Sequence, residues 1–196
     1  MLGGDPAVDL VNTVSDWETD PADRLGGPEA FADWAEAAGL ADAGDAARMK
    51  REIRREPEAA AKIYRNASEL RSAAWTIFSA IARGRAPARA QIAIVDRLSR
   101  RATEHSELVP GKGGFRREAT SETSGLERVV LKLAQVAENL LVNGPLDRLH
   151  FCGGPGCGWM FVDRSKNGMR RWCSMAACGN AAKVNKFRKR MKEEAT

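Results

Sequence analysis

All four cysteines of this 196-residue chain lie within one short stretch near its C-terminal end. They form two pairs, with four residues inside each pair and fifteen residues between the pairs: Cys152, Cys157, Cys173 and Cys178. Thiolates are preferred ligands in tetrahedral zinc sites, and a connection of this length can form a hairpin that returns the second pair to the first. The spacing therefore predicts a zinc site of four sulfur atoms.

Four thiols also have other uses. Two disulfides fit the even number of cysteines but not a reducing compartment. A redox site normally has two residues between its cysteines, whereas an iron–sulfur cluster can use these same ligands. Catalytic zinc keeps one position open for water, so four cysteines disfavour hydrolysis at the metal. His150 could replace a sulfur in principle, but we expect it on a strand beside the site.

The residues around the cysteines indicate how the thiols are positioned. Glycine and proline fill the gap between the first two cysteines, where a metal-binding turn must bend sharply: Gly153, Gly154, Pro155 and Gly156. Short strands are expected at 149–151 and 159–162 and should pair with each other. The segment DRSKNG then leads toward the second pair of cysteines.

The positive charge of the chain is concentrated at the same end. Residues 145–196 hold 11 Lys or Arg and 4 Asp or Glu, a balance of +7, whereas residues 1–144 have a balance of −2. Such an asymmetry is typical of proteins that contact nucleic acid, although a basic segment can also serve solubility alone.

A basic helix is expected after Cys178. Val184, Phe187 and Met191 recur at helical spacing, so we expect this apolar stripe to pack on the zinc hairpin while the cations point away. Cations bind phosphates, and amides hydrogen-bond phosphates or base edges. The predicted nucleic-acid-binding residues are Arg164, Lys166, Arg170, Arg171, Asn180, Lys183, Lys186, Arg188 and Arg190.

The first 144 residues are predicted to be mostly helical. Apolar residues recur at intervals of three and four between Gly or Pro stops, which predicts helices over 6–14, 28–39, 45–56, 57–84, 87–103 and 126–142. Pro-Gly and Gly-Gly pairs within 105–122 predict a β-hairpin. The sequence Asn143-Gly144-Pro145 stops the last helix, so we expect a domain boundary between 1–144 and 145–196.

Length and motifs narrow the class of protein. A chain of 196 residues can bury a core without disulfides. The first residues carry acids where a secretory leader needs a basic and then an apolar segment, and no apolar run has membrane-spanning length, so we expect a cytoplasmic protein outside the membrane. The sequence holds no phosphate-binding glycine loop, nucleophile elbow or zinc-protease helix, so we expect no enzyme activity.

Other notable side chains of the helical part have simple structural interpretations. We expect its aromatic residues in the core rather than around a ligand: Trp17, Trp34, Trp75, Phe31 and Phe78. Capping and surface solvation account for Asp5, Asp9 and Asp16. His105 is expected to be solvated in a loop.

The residues from Cys152 to Arg190 resemble the CGNR zinc finger of bacterial proteins, since the four cysteines, the FVDRSKNG loop and the RRWCSM run all agree. The opening DPAVDLVNT and the helical part resemble the ABATE domain, which usually precedes this finger. The resemblance implies a stress-linked transcription regulator that is mainly α, with a treble-clef-like finger that binds one zinc ion and contacts DNA.

The resemblance also assigns residues. It makes the four cysteines the zinc ligands and gives polar family positions to Arg170, Arg171, Asn180 and Lys183. The family name leads one to expect Arg after Cys178-Gly179-Asn180, whereas this chain has Ala181. The resemblance gives the missing arginine a phosphate contact or a bracing role in the finger, which Lys183 and the cations after it would have to supply here.

We therefore expect a DNA-binding regulator whose helical domain senses a small-molecule ligand or forms a homodimer. The alternative is a zinc-stabilised module that binds RNA or protein through the same cations. A small-molecule enzyme in the helical domain is a third hypothesis, with no catalytic constellation behind it.

Overall fold

The computed structural model describes residues 1–120 and 122–194, and it is mainly helical. The helices are α1 (Pro6–Val11), α2 (Pro28–Ala37), α3 (Ala43–Arg55), α4 (Pro57–Ala82), α5 (Arg89–Glu104), α6 (Gly125–Asn143) and α7 (Asn180–Glu194). The strands form antiparallel pairs: β1 (Val14–Ser15) with β2 (Ala22–Asp23), β3 (Ser106–Gly111) with β4 (Gly114–Ala119), and β5 (Leu149–Phe151) with β6 (Met160–Val162).

Helix α4 forms the centre of the helical part. Pro57 begins this helix of 26 residues, and Leu70, Ile77 and Phe78 are among the side chains that it buries completely. The helix contacts α1, α2, α3, α5 and α6, as well as β5 of the finger. The six helices predicted for this part are therefore present, and five of them pack around the long helix α4.

The first helix ends earlier than its apolar pattern predicts. The carboxylate of Asp5 accepts a hydrogen bond from the Ala7 amide (3.0 Å), which caps the N-terminus of α1. After Val11 the chain leaves the helix, and Val14 lies on β1 instead. The expected helix over 6–14 is wrong for its last turn.

The acids and aromatic residues partly depart from expectation. Asp5 is a cap, as expected, but Asp9 is buried rather than solvated and accepts the amides of Leu2 and Gly3. The five aromatic side chains belong to the core or pack against it: Phe31, Phe78, Trp17, Trp34 and Trp75. His105 is half-buried at the end of α5 rather than fully solvated.

The predicted hairpin is confirmed as β3 and β4. Pro110 pairs with Phe115 and Gly111 with Gly114, so the turn lies at Lys112 and Gly113. The hairpin extends from the end of α5 and is largely exposed.

The finger and the helical part share one hydrophobic core. Leu149, Met160 and Val162 of the finger are buried in the same cluster as the side chains of α1, α4 and α6. The Val162 amide donates to the Gly3 carbonyl at 2.7 Å. A side chain at Gly4 (φ +76°) would place Cβ 2.9 Å from the Val162 carbonyl oxygen, so only glycine allows this approach. The predicted domain boundary between residues 144 and 145 stays a prediction. Residues from both sides of it contribute to the same hydrophobic core.

Candidate metal centre and basic surface

The first pair of cysteines lies on the turn of the β5–β6 hairpin. His150 pairs with Phe161 and Phe151 with Met160, which brings the two ends of the turn together. The Cys152 amide donates to the Trp159 carbonyl at 2.7 Å and closes the turn. The predicted strands are thus confirmed, except that the second begins at Met160 rather than Trp159.

The second pair is presented by a π-helical turn over Met175–Gly179 that leads into α7. The Ser174 hydroxyl oxygen caps this turn by accepting the Ala177 amide at 3.2 Å. Cys173 lies just before the turn, and Cys178 lies on it. The turn therefore directs the second pair toward the first.

The four sulfur atoms converge on one point. They lie within 4.8 Å of one another, with 3.7 Å between the Sγ atoms of Cys157 and Cys173 and 3.6 Å between those of Cys173 and Cys178. A tetrahedron with zinc–sulfur bonds of 2.3 Å has edges of about 3.8 Å. All four cysteines are free thiols, so the disulfide alternative is wrong. This donor set fits a single zinc ion.

Backbone amides point at the sulfur atoms, as a metal-binding turn requires. The Sγ atom of Cys152 accepts hydrogen bonds from the Cys173 amide (3.2 Å) and the Gly154 amide (3.4 Å). A Cβ atom at Gly154 would lie 2.7 Å from Cys178 Cβ and 3.0 Å from its Sγ. Glycine is required there because any side chain would enter the space of the sulfur atoms.

The buried thiols of the finger differ in how readily they ionise without a metal ion. Burial raises the pKa of Cys157 to about 11 and, with the neighbouring thiols, raises the pKa of Cys173 as well. Burial is the largest influence on Cys152 and would raise its pKa, but hydrogen bonds from the amides of Cys173 and Gly154 and from the neighbouring thiols together lower it. Metal binding requires thiolates, so a bound cation supplies the charge that stabilises them.

Asp163 fixes the loop between the two cysteine pairs, a role that the sequence analysis missed. Its buried carboxylate accepts the amides of Ser165 and Arg170, both at 2.8 Å. Hydrogen bonds from Ser165 and Arg170, with the charge of Arg148, hold the pKa of Asp163 at about 2. The only sequence signal was its place in the FVDRSKNG run.

Two of the predicted nucleic-acid-binding residues, Arg164 and Arg170, contact the N-terminal segment of the protein. Arg170 donates to the carbonyls of Trp172 (2.9 Å), Leu2 (2.7 Å) and Cys173, and its guanidinium lies 4.4 Å from the centre of the Phe161 ring. Arg164 donates to the Gly4 carbonyl at 2.7 Å. Both arginines thus attach the finger to the N-terminal segment.

The remaining predicted contacts lie at the surface. Their side chains are exposed on the loop after β6 and on α7: Lys166, Arg171, Asn180, Lys183, Lys186, Arg188 and Arg190. The Asn180 amide also donates to the Ala176 carbonyl at 3.1 Å. From Arg164 to Lys192 the sequence has ten Lys or Arg and no Asp or Glu, so this surface is strongly basic.

The apolar stripe of α7 does not pack on the zinc hairpin, and that expectation is wrong. Val184, Phe187 and Met191 are 47%, 64% and 51% exposed. The main contact of helix α7 with another element is with the π-helical turn that precedes it. Helical spacing shows that the residues share a face, but it does not show what covers that face.

Comparison with known families agrees with this architecture. Residues 4–144 match the ABATE family, described as "Putative stress-induced transcription regulator", and residues 148–191 match the CGNR zinc finger. No curated protein matches the chain. Within the described residues, every helix is too short or too polar to cross a membrane. The match covers most of the chain, which therefore belongs to the ABATE family and carries a CGNR zinc finger after the ABATE domain.

Proposed function

We propose that this protein is a transcription regulator that binds DNA through its zinc finger. The observation that carries the proposal is the basic surface of the finger, where six exposed cations lie on the metal-binding loop and α7: Lys166, Arg171, Lys183, Lys186, Arg188 and Arg190. Exposed cations attract the phosphate backbone, and no acidic residue lies between Arg164 and Lys192 in the sequence. The family description supports a regulatory role.

The geometry gives different tasks to different parts of the finger. Zinc, when bound, cross-links the two cysteine pairs and so fixes the start of α7. Arg164 and Arg170 hold the finger against the N-terminal segment. We assign the phosphate contacts to the cations of α7, and we expect the exposed Asn180 to contact a phosphate or a base edge at the first turn.

The salt dependence of DNA binding tests this proposal. Six phosphate contacts give a slope of about −5 in a plot of log affinity against log salt. Fluorescence anisotropy with a labelled duplex of about 20 base pairs measures the slope. The double variant Lys183→Gln, Lys186→Gln should reduce its magnitude by about 2, whereas the matched double variant Arg85→Gln, Lys112→Gln should leave it unchanged. A DNA affinity that does not change with salt concentration contradicts the proposal. So does an equal change of the salt slope in the control variant.

A substitution at position 181 should strengthen DNA binding. Ala181 is exposed in the first turn of α7, where the family name leads one to expect Arg. If this turn faces DNA, Ala181→Arg adds one phosphate contact and steepens the salt slope by about 0.9. An unchanged slope would place DNA away from this turn.

A second candidate function is binding of RNA or of a protein. The exposed Phe187 and Met191 favour it, because apolar side chains stack on unpaired bases or bury against a protein. Competition among duplex DNA, single-stranded DNA and RNA at one salt concentration separates the candidates. If RNA displaces the labelled duplex more strongly than DNA does, RNA binding is favoured over DNA binding.

We further propose that the ABATE domain transmits a signal to the finger, either from a small-molecule ligand or through homodimerisation, and that the protein acts in the cytoplasm without catalysis. Neither family description names a reaction. Light scattering of the purified protein across a concentration series tests the dimer.

A further inference from the structure

A cavity of about 360 Å³ lies at the junction of the helical domain and the finger. Its apolar walls come from Leu25, Ala30 and Trp34 on the helical side and from Trp159 on the finger. This volume lies within the range of small-molecule sites, and two indole rings suit a flat apolar ligand. None of the four cysteines lines the cavity, although Trp159 also packs against the cysteine cluster.

Most polar groups in the cavity wall already have partners in the protein. The side-chain amide of Asn12 donates to the Met160 carbonyl and accepts the Met160 amide. The hydroxyl of Thr13 donates to the Leu10 carbonyl. Asp9 accepts the amides of two residues in the N-terminal segment. These groups fix the wall and are not the main recognition elements for a ligand.

Arg24 is an exposed residue of this wall and carries a positive charge. Its guanidinium lies 5.2 Å from the centre of the Trp159 ring. Among the residues that the structure describes, no side-chain hydrogen bond or ion pair joins Arg24 to a carboxylate. The ring holds the cation in place without neutralising it, which leaves its N–H groups for an anion.

We propose that this cavity binds a small planar aromatic or apolar molecule that carries one carboxylate, with the carboxylate on Arg24 and the flat body between the apolar walls. The site joins the two parts of the protein, because the Trp159 carbonyl accepts the Cys152 amide at 2.7 Å. A ligand against Trp159 therefore contacts the same residue that closes the first metal-binding turn. Binding at this site does not depend on DNA binding and is measured on the free protein.

The five tryptophans of the chain allow the site to be located directly. Protein labelled with 5-fluorotryptophan gives one fluorine NMR resonance for each, assigned by replacing each tryptophan with phenylalanine in turn. Titration with 1-naphthoate should move the resonances of Trp34 and Trp159. The resonances of Trp17 and Trp75, which stack on each other at 5.3 Å, should stay in place, as should that of Trp172.

Matched variants and probes test the chemistry. Arg24→Gln should weaken naphthoate binding about tenfold or more, and Ala30→Phe should abolish it by filling the cavity, whereas the surface control Arg85→Gln should have no effect. The amine analogue 1-naphthylmethylammonium should bind at least about tenfold more weakly than the acid. No shift of Trp34 and Trp159 up to about 5 mM naphthoate, equal binding of the amine, or an unaffected Arg24→Gln variant overturns the proposal.

Discussion

Gly154 lies between Cys152 of the first cysteine pair and Cys178 of the second. Gly154→Ala should weaken zinc binding at least about tenfold, because the new methyl group would press against Cys178 Cβ at 2.7 Å and separate the sulfur atoms. Competition with a coloured zinc chelator measures the affinity. Pro155→Ala is the matched control, since Pro155 is exposed on the same turn. Equal zinc affinities in the two variants would mean that the turn tolerates the extra carbon.

Arg71 links the central helix α4 to the segment around β1 and β2. This buried arginine of α4 donates to both carboxylate oxygens of Asp23 (2.8 and 2.6 Å) and to the Thr13 hydroxyl (2.9 Å). The Arg71 hydrogen bonds lower the pKa of Asp23. The pair thus attaches the β1–β2 segment to the central helix.

Asp23→Asn should reduce the free energy of unfolding by about 1–3 kcal/mol, less than for a fully buried pair because the Asp23 side chain is 40% exposed. The folded-state pKa lies below the unfolded value of about 3.9, so the stabilisation is present above that pH and is lost as the pH falls through the folded pKa. Urea unfolding between pH 7 and pH 3 measures this loss. The difference in the free energy of unfolding between the parent and the variant should become smaller toward pH 3. Asp20→Asn, an exposed acid on the same segment, is the control.

At the scale of the elements, α7 contacts mainly the π-helical turn before it, and its apolar side chains are exposed. Phe187→Ser should change the free energy of unfolding by no more than about 0.5 kcal/mol, because Phe187 is 64% exposed. If α7 faces DNA, the same change should lower DNA affinity without changing the salt slope, since no charge is lost. Thermal unfolding and anisotropy measure the two effects. A loss of several kcal/mol, as expected for the buried Phe161, would show that the stripe is packed after all.

Most elements were predictable because their signals are local. The apolar period of α4 and α6, and the Gly-Gly pair of the β3–β4 turn, specify a helix or a turn whatever surrounds them. The metal centre was predictable for the same reason. Four thiols at this spacing form a convergent set wherever the finger lies on the molecule.

The features that escaped prediction depend on distant contacts. Helix α1 ends early where the Asn12 side chain binds Met160, 148 residues away. The β1–β2 pair depends on Arg71, and Asp9 is buried because the N-terminal segment folds over it. The roles of Arg164 and Arg170 likewise follow from docking. The sequence shows that Arg164 and Arg170 are charged. Whether these side chains are solvated or donate to a carbonyl depends on the fold.

At the scale of the whole molecule, residues of the finger belong to the hydrophobic core of the helical part, whereas the sequence predicted a separate domain after it. Met160 and Val162 lie fully buried beside α1. Asn12 bonds both backbone groups of Met160, at 2.8 and 2.9 Å, and the Gly3 carbonyl accepts the Val162 amide. Loss of order in the finger therefore exposes part of the core of the ABATE domain.

Zinc removal should consequently destabilise the helices as well as the finger. Addition of a strong chelator should lower the melting temperature followed by far-ultraviolet circular dichroism, because β6 releases its core contacts when the metal-binding turns unfold. Asn12→Ala leaves the buried Met160 groups unpaired, so it should cost about 2–4 kcal/mol and make the helices less sensitive to the chelator. The exposed Asn139→Ala is the control. A helical transition at the same temperature with and without chelator would mean that the finger and the ABATE domain unfold independently, despite their common core.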